Sequence, residues 1–167
     1  MRTIEQTICK FDELTDQAKE KARDWYKQTA DLHWSDESKD SIDAFCNHFG
    51  VSLREWSIGA YEAINYNAQY FNSHFRGMKL KDFDRNAMPT GYYLDCSLWM
   101  TFYDTFKSSG DAKAAFDAAL YEGFKGWRAD LESQLEDEYI DDFMINNEYE
   151  FTEEGKFYQW PNQNSTI

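Results

Sequence analysis

Apolar positions recur at helical spacing over most of this chain. Ala18, Ala22, Trp25 and Tyr26 fall on one face, while Lys19, Glu20, Arg23, Asp24 and Lys27 cover the rest, which predicts a helix over 16–29. Thr15 suits its N-cap, and Asp16 suits the positive end of its dipole. A second helix is expected over 36–49, capped by Ser35, with Asp36 and Glu37 in its first turn. Its stripe is Ile42, Phe45, Cys46 and Phe49, and Gly50 stops it. Pro89, Thr90 and Gly91 mark a turn. A third helix, over 93–107, follows with Leu94, Leu98, Phe102 and Phe106, and ends at Ser108, Ser109 and Gly110.

The longest pattern runs from Ala112 to Asn146, with Asp111 as its cap. Leu120, Phe124, Trp127, Leu131, Leu135, Tyr139 and Phe143 form one continuous stripe at steps of three and four. Gly123 and Gly126 each cost about 1 kcal/mol in a helix interior, so a kink is expected there. Because the stripe exceeds what a small domain covers, a homodimer is an expectation.

Period-two patterning is confined to short stretches. Residues 2–11 alternate weakly around Ile4 and Ile8 and predict a short strand. The stretch VSLREWSIGAYEAINYNAQYF, from Val51, is rich in β-branched and aromatic residues. It reads as one or two strands with a polar break at 65–67. Residues 75–83 add another short strand, since Met78 and Leu80 alternate with lysines. The expected fold is therefore α+β: four or five helices packed with a small antiparallel sheet. One domain is expected over 1–160, and a frayed polar tail over 161–167.

Composition narrows the class. The chain has 167 residues, 42% hydrophobic and 18% aromatic, enough apolar surface to offset ordering entropy. Thirty-one acids against 17 bases give a net charge of −14. Such a polyanion repels nucleic acid and anionic membranes, so direct binding to either is disfavoured and a basic protein surface is the expected partner. There is no apolar run long enough for a signal peptide or a membrane span. Three widely spaced cysteines, Cys9, Cys46 and Cys96, read as reduced thiols of a cytoplasmic protein.

The charge is unevenly spread. Residues 130–154 hold eleven acids and no base. Helical spacing puts Asp130, Asp137 and Asp141 near one line and Glu138 and Asp142 on the next, all flanking the apolar stripe. Such neighbours repel by a few tenths of a kcal/mol each, and nothing in the local sequence offsets this. The stretch reads either as a solvated helix face or as a surface that imitates nucleic-acid phosphates and docks on a basic groove. On the second reading the partner-binding residues are Asp130, Glu136, Asp137, Glu138, Asp141, Asp142, Glu148 and Glu150. Trp34 and Trp160, in expected loops, join them, because exposed aromatics beside acids suit an arginine-rich partner.

Catalytic patterns are weak. His33, His48 and His74 lack zinc-site spacing, Gly50, Gly59 and Gly77 are isolated, and no G-x-S-x-G occurs. Glu154-x-Lys156 with Asp141 or Asp142 faintly suggests a nuclease cluster, but those upstream acids belong to a helix. A hard cation at Glu136, Asp137, Asp141 and Asp142 is a further reading, without an EF-hand loop. The expectation is a binding protein, with no enzymatic activity, cofactor or metal.

Three motifs, FDELTDQAKEKARDWY, PTGYYLD and NNEYEFTEEGKFY, lie near the start, middle and end of the chain. Together they resemble a family of small acidic proteins encoded by phages and prophages of enteric and related bacteria, some loosely described as antitoxin-like. Residues 51–83 depart from that family's aromatic and glycine-rich pattern. The resemblance implies a phage accessory protein made in a bacterial cytoplasm. With the acidic stretch, it leads to an expected inhibitor of a bacterial defence complex (a CRISPR effector or restriction enzyme) acting by nucleic-acid mimicry. An antitoxin-like protein for a basic toxin, or a host-takeover factor binding a host regulator, is the alternative, and a metal-dependent hydrolase a more distant one.

Overall fold

A computed structural model describes residues 6–33 and 35–159. In chain order the elements are β1 (Ile8–Lys10), α1 (Asp16–Thr29), α2 (Ser35–His48), β2 (Ser52–Ser57), β3 (Asn65–Gln69), α3 (Tyr93–Ser109), α4 (Ala112–Ser133), α5 (Asp137–Asn146) and β4 (Glu150–Thr152). Among the described residues, five helices and two separate two-stranded antiparallel sheets make an α+β fold. Two compact units result: a terminal unit of Met1–Asp31 with Ser133–Ile167, and a central unit of Leu32–Glu132.

The terminal unit is built on α1. Thr15 caps it, its Oγ1 accepting from the Ala18 N–H at 3.3 Å. Ala18, Ala22 and Tyr26 are buried with Phe11, Leu14, Ile140, Met144 and Phe151. Strand β1 pairs with β4, placing Cys9 opposite Phe151. Both strands have only three residues, too short for a period-two signal, and their partners lie at opposite ends of the sequence. Beyond β4 the chain folds back: the Thr152 N–H donates to Lys156 O and the Tyr158 N–H to Glu150 O. Gly155 makes that turn at φ +82°, and a Cβ there would lie 2.1 Å from the Ala18 carbonyl oxygen. Phe157 is thereby stacked on Trp25, with ring centroids 4.2 Å apart.

The central unit buries the expected stripes of α2 and α3, including Ile42, Phe45, Cys46, Phe49, Leu94, Leu98, Phe102 and Phe106. Gly50 (φ +66°) and Gly110 (φ +71°) follow α2 and α3 in the left-handed conformation that suits glycine. Two short pieces differ from the sequence reading. The polar break expected at 65–67 is instead strand β3, whose Asn65 and Asn67 face outward while Tyr66 and Ala68 face the core. The connecting loop is 58–64. The strand expected over 75–83 is absent: Gly77 takes φ +79°, Leu80–Asp82 is a 3-10 turn, and Met78 and Leu80 reach the core singly from loops. The N-terminal strand accordingly pairs with β4, not with this region.

The long helix expected from Ala112 to Asn146 is two helices. Asp111 caps α4, accepting from the Lys113 and Ala114 N–H groups at 2.9 and 3.1 Å. Helix α4 runs unbroken through Gly123 and Gly126. These glycines are packing positions: a Cβ at Gly123 would lie 2.4 Å from Leu98 Cδ2, and one at Gly126 2.8 Å from Leu94 Cδ1. The break falls at 134–136, and the stripe breaks with it. Leu120, Phe124, Trp127 and Leu131 are buried in the central unit. In α5 the buried pair is Ile140 and Met144, one residue out of phase with the half-buried Tyr139 and Phe143. The stripe that suggested a homodimer is thus divided, and its 120–131 part is covered by the chain itself.

Gly155→Ala should destabilise the terminal unit by about 3 kcal/mol, combining a left-handed backbone with a backbone clash. Gly77→Ala meets nothing within 4 Å and should cost only about 1–2 kcal/mol for its positive φ. Urea denaturation of the two variants checks this; equal costs would contradict the close approach of Gly155 to α1.

Candidate interaction surface

The acidic stretch is sorted by how α5 sits on α1. Ile140 and Met144 put one side of α5 into the core of the terminal unit. That turns Asp137 and Asp141, an i, i+4 pair, toward Arg23 and Lys27, an i, i+4 pair on α1. Arg23 Nε and Nη2 each donate to Asp141, at 2.6 Å to Oδ1 and Oδ2, a two-pronged pair with both side chains largely buried. Lys27 Nζ donates to Asp137 Oδ1 at 2.7 Å, and Arg23 Nη1 lies 3.7 Å from Asp137 Oδ2. The Arg23 guanidinium also lies over the Phe11 ring, 6.0 Å from its centroid. The repulsion expected within the acidic stretch is therefore offset, but by a segment more than a hundred residues away in sequence.

Asp137 is held below the ordinary carboxylate range, first by its Lys27 hydrogen bond and then by the charges of Lys27 and Arg23. Arg23 is pushed up, chiefly by its hydrogen bond to Asp141. Asp137 and Glu138 also occupy the first turn of α5, where the helix dipole favours negative charge.

The remaining acids of α5 are different. Glu136, at the N-cap position without a capping side-chain bond, Glu138 and Asp142 are all exposed. Among the described residues their carboxylates have no ion pair or hydrogen bond. Glu148 takes φ +52° just beyond α5 and pairs with Lys10 at 3.0 Å, an exposed pair of little energetic consequence. Glu150 is half-buried in β4, opposite Lys10.

The other candidates lie elsewhere. Asp130 belongs to α4 in the central unit, so it shares no line with Asp137 and Asp141. It sits near Tyr92 and Tyr93, whose phenol pKa values are raised by burial first and by the Asp130 charge after it. Trp34 and Trp160 lie outside the described residues. The residues that reading the sequence missed are Arg23 and Lys27, taken there as solvent cover on α1. Their signal was present: two bases spaced i, i+4 beside one apolar stripe match two acids spaced i, i+4 beside another.

Burial pushes the Cys46 thiol up to about 12, which removes it as a nucleophile near neutral pH. His48 packs edge-on against Phe49, Phe83 and Trp99, and burial lowers its pKa. No group of three or more His, Cys, Asp and Glu among the described residues is placed to hold a metal ion. No described helix is long and apolar enough to cross a membrane. The chain matches no protein-family model, no curated protein and no solved structure.

The Asp137 pairing has a definite pH signature. A carboxyl depressed below its unfolded value of 3.8 adds stability that is present above that pH and is lost as pH falls through the lower, folded value. Asp137→Asn should therefore cost under about 1 kcal/mol at neutral pH, as expected for a half-exposed pair. Denaturation at a series of pH values should show the gap between wild type and variant closing below pH 3.8; a constant gap would contradict the pairing.

Proposed function

We propose that the protein binds a basic protein surface through the outward face of α5 and so occupies a groove that otherwise holds nucleic acid. The observation that carries this reading is the division of labour within α5. Asp137 and Asp141 are committed to Arg23 and Lys27, while Glu136, Glu138 and Asp142 stand exposed and unpaired on the same helix. The terminal unit as a whole carries sixteen acids and seven bases. Fixed carboxylates on a rigid helix lose little conformational entropy on binding, and a dense negative field speeds encounter with a cationic groove. Taken with the motif resemblance to phage and prophage proteins, the partner class we propose is a nucleic-acid-handling complex of bacterial defence, such as a CRISPR effector or restriction enzyme. Inhibition is by steric and electrostatic competition.

The test keeps the ion pairs intact. The triple variant Glu136→Gln, Glu138→Gln and Asp142→Asn removes three charges without touching Arg23, Lys27, Asp137 or Asp141. Wild type and variant, each immobilised, are exposed to bacterial lysate at low and high salt, with duplex DNA as competitor. The expected result is one nucleic-acid-binding complex retained by the wild type, displaced by DNA and by salt, and weakened at least about tenfold in the variant. Equal retention of the same proteins by both would overturn the proposal.

A further inference from the structure

The β2–β3 hairpin of the central unit has two long edges, and they are built differently. Among the described residues it pairs with no third strand, and no backbone group of β2 or β3 bonds to another segment. Strand β2 carries the usual protection of an open edge: a bulge at Arg54, between Leu53 and Glu55, and the charges of Arg54 and Glu55. Strand β3 carries neither. Residues 63–75 hold no Asp, Glu, Lys, Arg or Pro, in a chain that is 29% charged. Phe71, two residues beyond β3, is still extended (φ −105°, ψ 147°) and is 75% exposed.

The other side of the hairpin is fixed on α4. Tyr66 stacks on Phe124 and Trp56 packs on Trp127, with ring centroids 4.7 and 5.0 Å apart. The Tyr70 hydroxyl donates to Asp117 at 2.6 Å, and Lys113 pairs with the same carboxylate at 2.8 Å. The loop end, turned at Tyr61 with φ +62°, is tied down as well: the Tyr61 N–H donates to Glu132 Oε1 at 3.2 Å, and the Glu62 carbonyl accepts from Arg128 Nη1 at 3.3 Å. The free edge of β3 is thus a preformed template for one more strand.

Charge and side-chain chemistry select the occupant. Two copies of a chain with net charge −14 repel over most of their surfaces, and 63–75 is its longest uncharged run. The outward side chains of β3 are the amides Asn65, Asn67 and Gln69. An amide both donates and accepts, so such a row matches a copy of itself. Asn67 and Gln69 make no side-chain hydrogen bond among the described residues. Asn65 gives one N–H to the Ala63 carbonyl at 3.2 Å, and its oxygen is left to accept. A two-fold axis at Asn67 sets Asn67 against Asn67, Asn65 against Gln69, and the large Phe71 against the small Ala63. On the inner face it sets Tyr66 against Ala68.

We propose that a second copy of this chain adds to the free edge of β3, antiparallel and centred on Asn67, to make a four-stranded sheet across a two-fold axis. Five strand residues a side is a small contact, so the dimer is weak and exchanges with monomer. The surface lies in the central unit and does not depend on the reading given to α5.

Sedimentation equilibrium of the full chain, from about 10 µM to about 1 mM, tests this. The expected result is a monomer–dimer equilibrium that strengthens as salt rises, because salt screens the repulsion between two anionic copies. Asn67→Lys and Asn67→Asp should each lose the dimer, since like charges then meet at the axis, while Tm and circular dichroism stay as in wild type. An equal mixture of the two variants should restore it. Phe71→Ala should weaken it at least about fivefold. Monomer throughout, a dimer unchanged by these substitutions, a mixture that stays monomeric, or growth beyond the dimer would each overturn the proposal.

Discussion

The two-pronged bond between Arg23 and Asp141 is the constraint on which the terminal unit depends. The apolar contacts of Ile140 and Met144 with Ala18, Ala22 and Tyr26 hold α5 against α1, but apolar contact is non-directional and tolerates rotation and sliding. A planar guanidinium matched to a carboxylate does not. With Lys27 on Asp137 one turn away, the pair sets both the rotation and the register of α5. The consequence is chemical as well as mechanical. Four charges are cancelled between the helices, while the acids Glu136, Glu138 and Asp142 remain exposed.

This arrangement reconciles two features that conflict in the sequence. Eleven acids without a base in 25 residues should disfavour a helix, yet α5 forms and is well buried along one side. The first-turn position of Asp137 and Glu138 helps, through the helix dipole. The larger contribution comes from α1. Folding therefore converts a self-repelling stretch into a supported one, with its remaining charge fixed in place. A surface of this kind meets a basic partner without first paying to order itself.

How far all this was legible depends on where each signal lies. Helices α1, α2 and α3 carry their own instructions: the Thr15 cap, the glycines at 50 and 110, and stripes that are buried as read except for Trp25, which is half-buried. The break between α4 and α5 carries none, since residues 134–136 contain neither glycine nor proline; it arises because α4 and α5 bury different sides in different units. Strands β1 and β4 are three residues each and find partners only through tertiary folding. Asn65 and Asn67 read as a break because asparagine is poor in strands, although their spacing already put both on one outward face. The acidic stretch itself is plain in the sequence. The division of its acids into paired and free members was hidden, because it depends on Arg23 and Lys27, and local repulsion alone says nothing of distant bases. Likewise the αL conformation of Tyr61 leaves no trace in a residue type that seldom adopts it.

The most direct measurement of this account is a double-mutant cycle on Arg23→Gln and Asp141→Asn, read by chemical denaturation of the full chain. If the pair orients α5 as described, the single variants will each lose stability, and the double variant will lose less than their sum. A coupling of about 1 kcal/mol or more is the predicted result. Additivity within about 0.5 kcal/mol would mean that apolar packing alone places α5, and the division of its acids into paired and free would no longer follow from the fold.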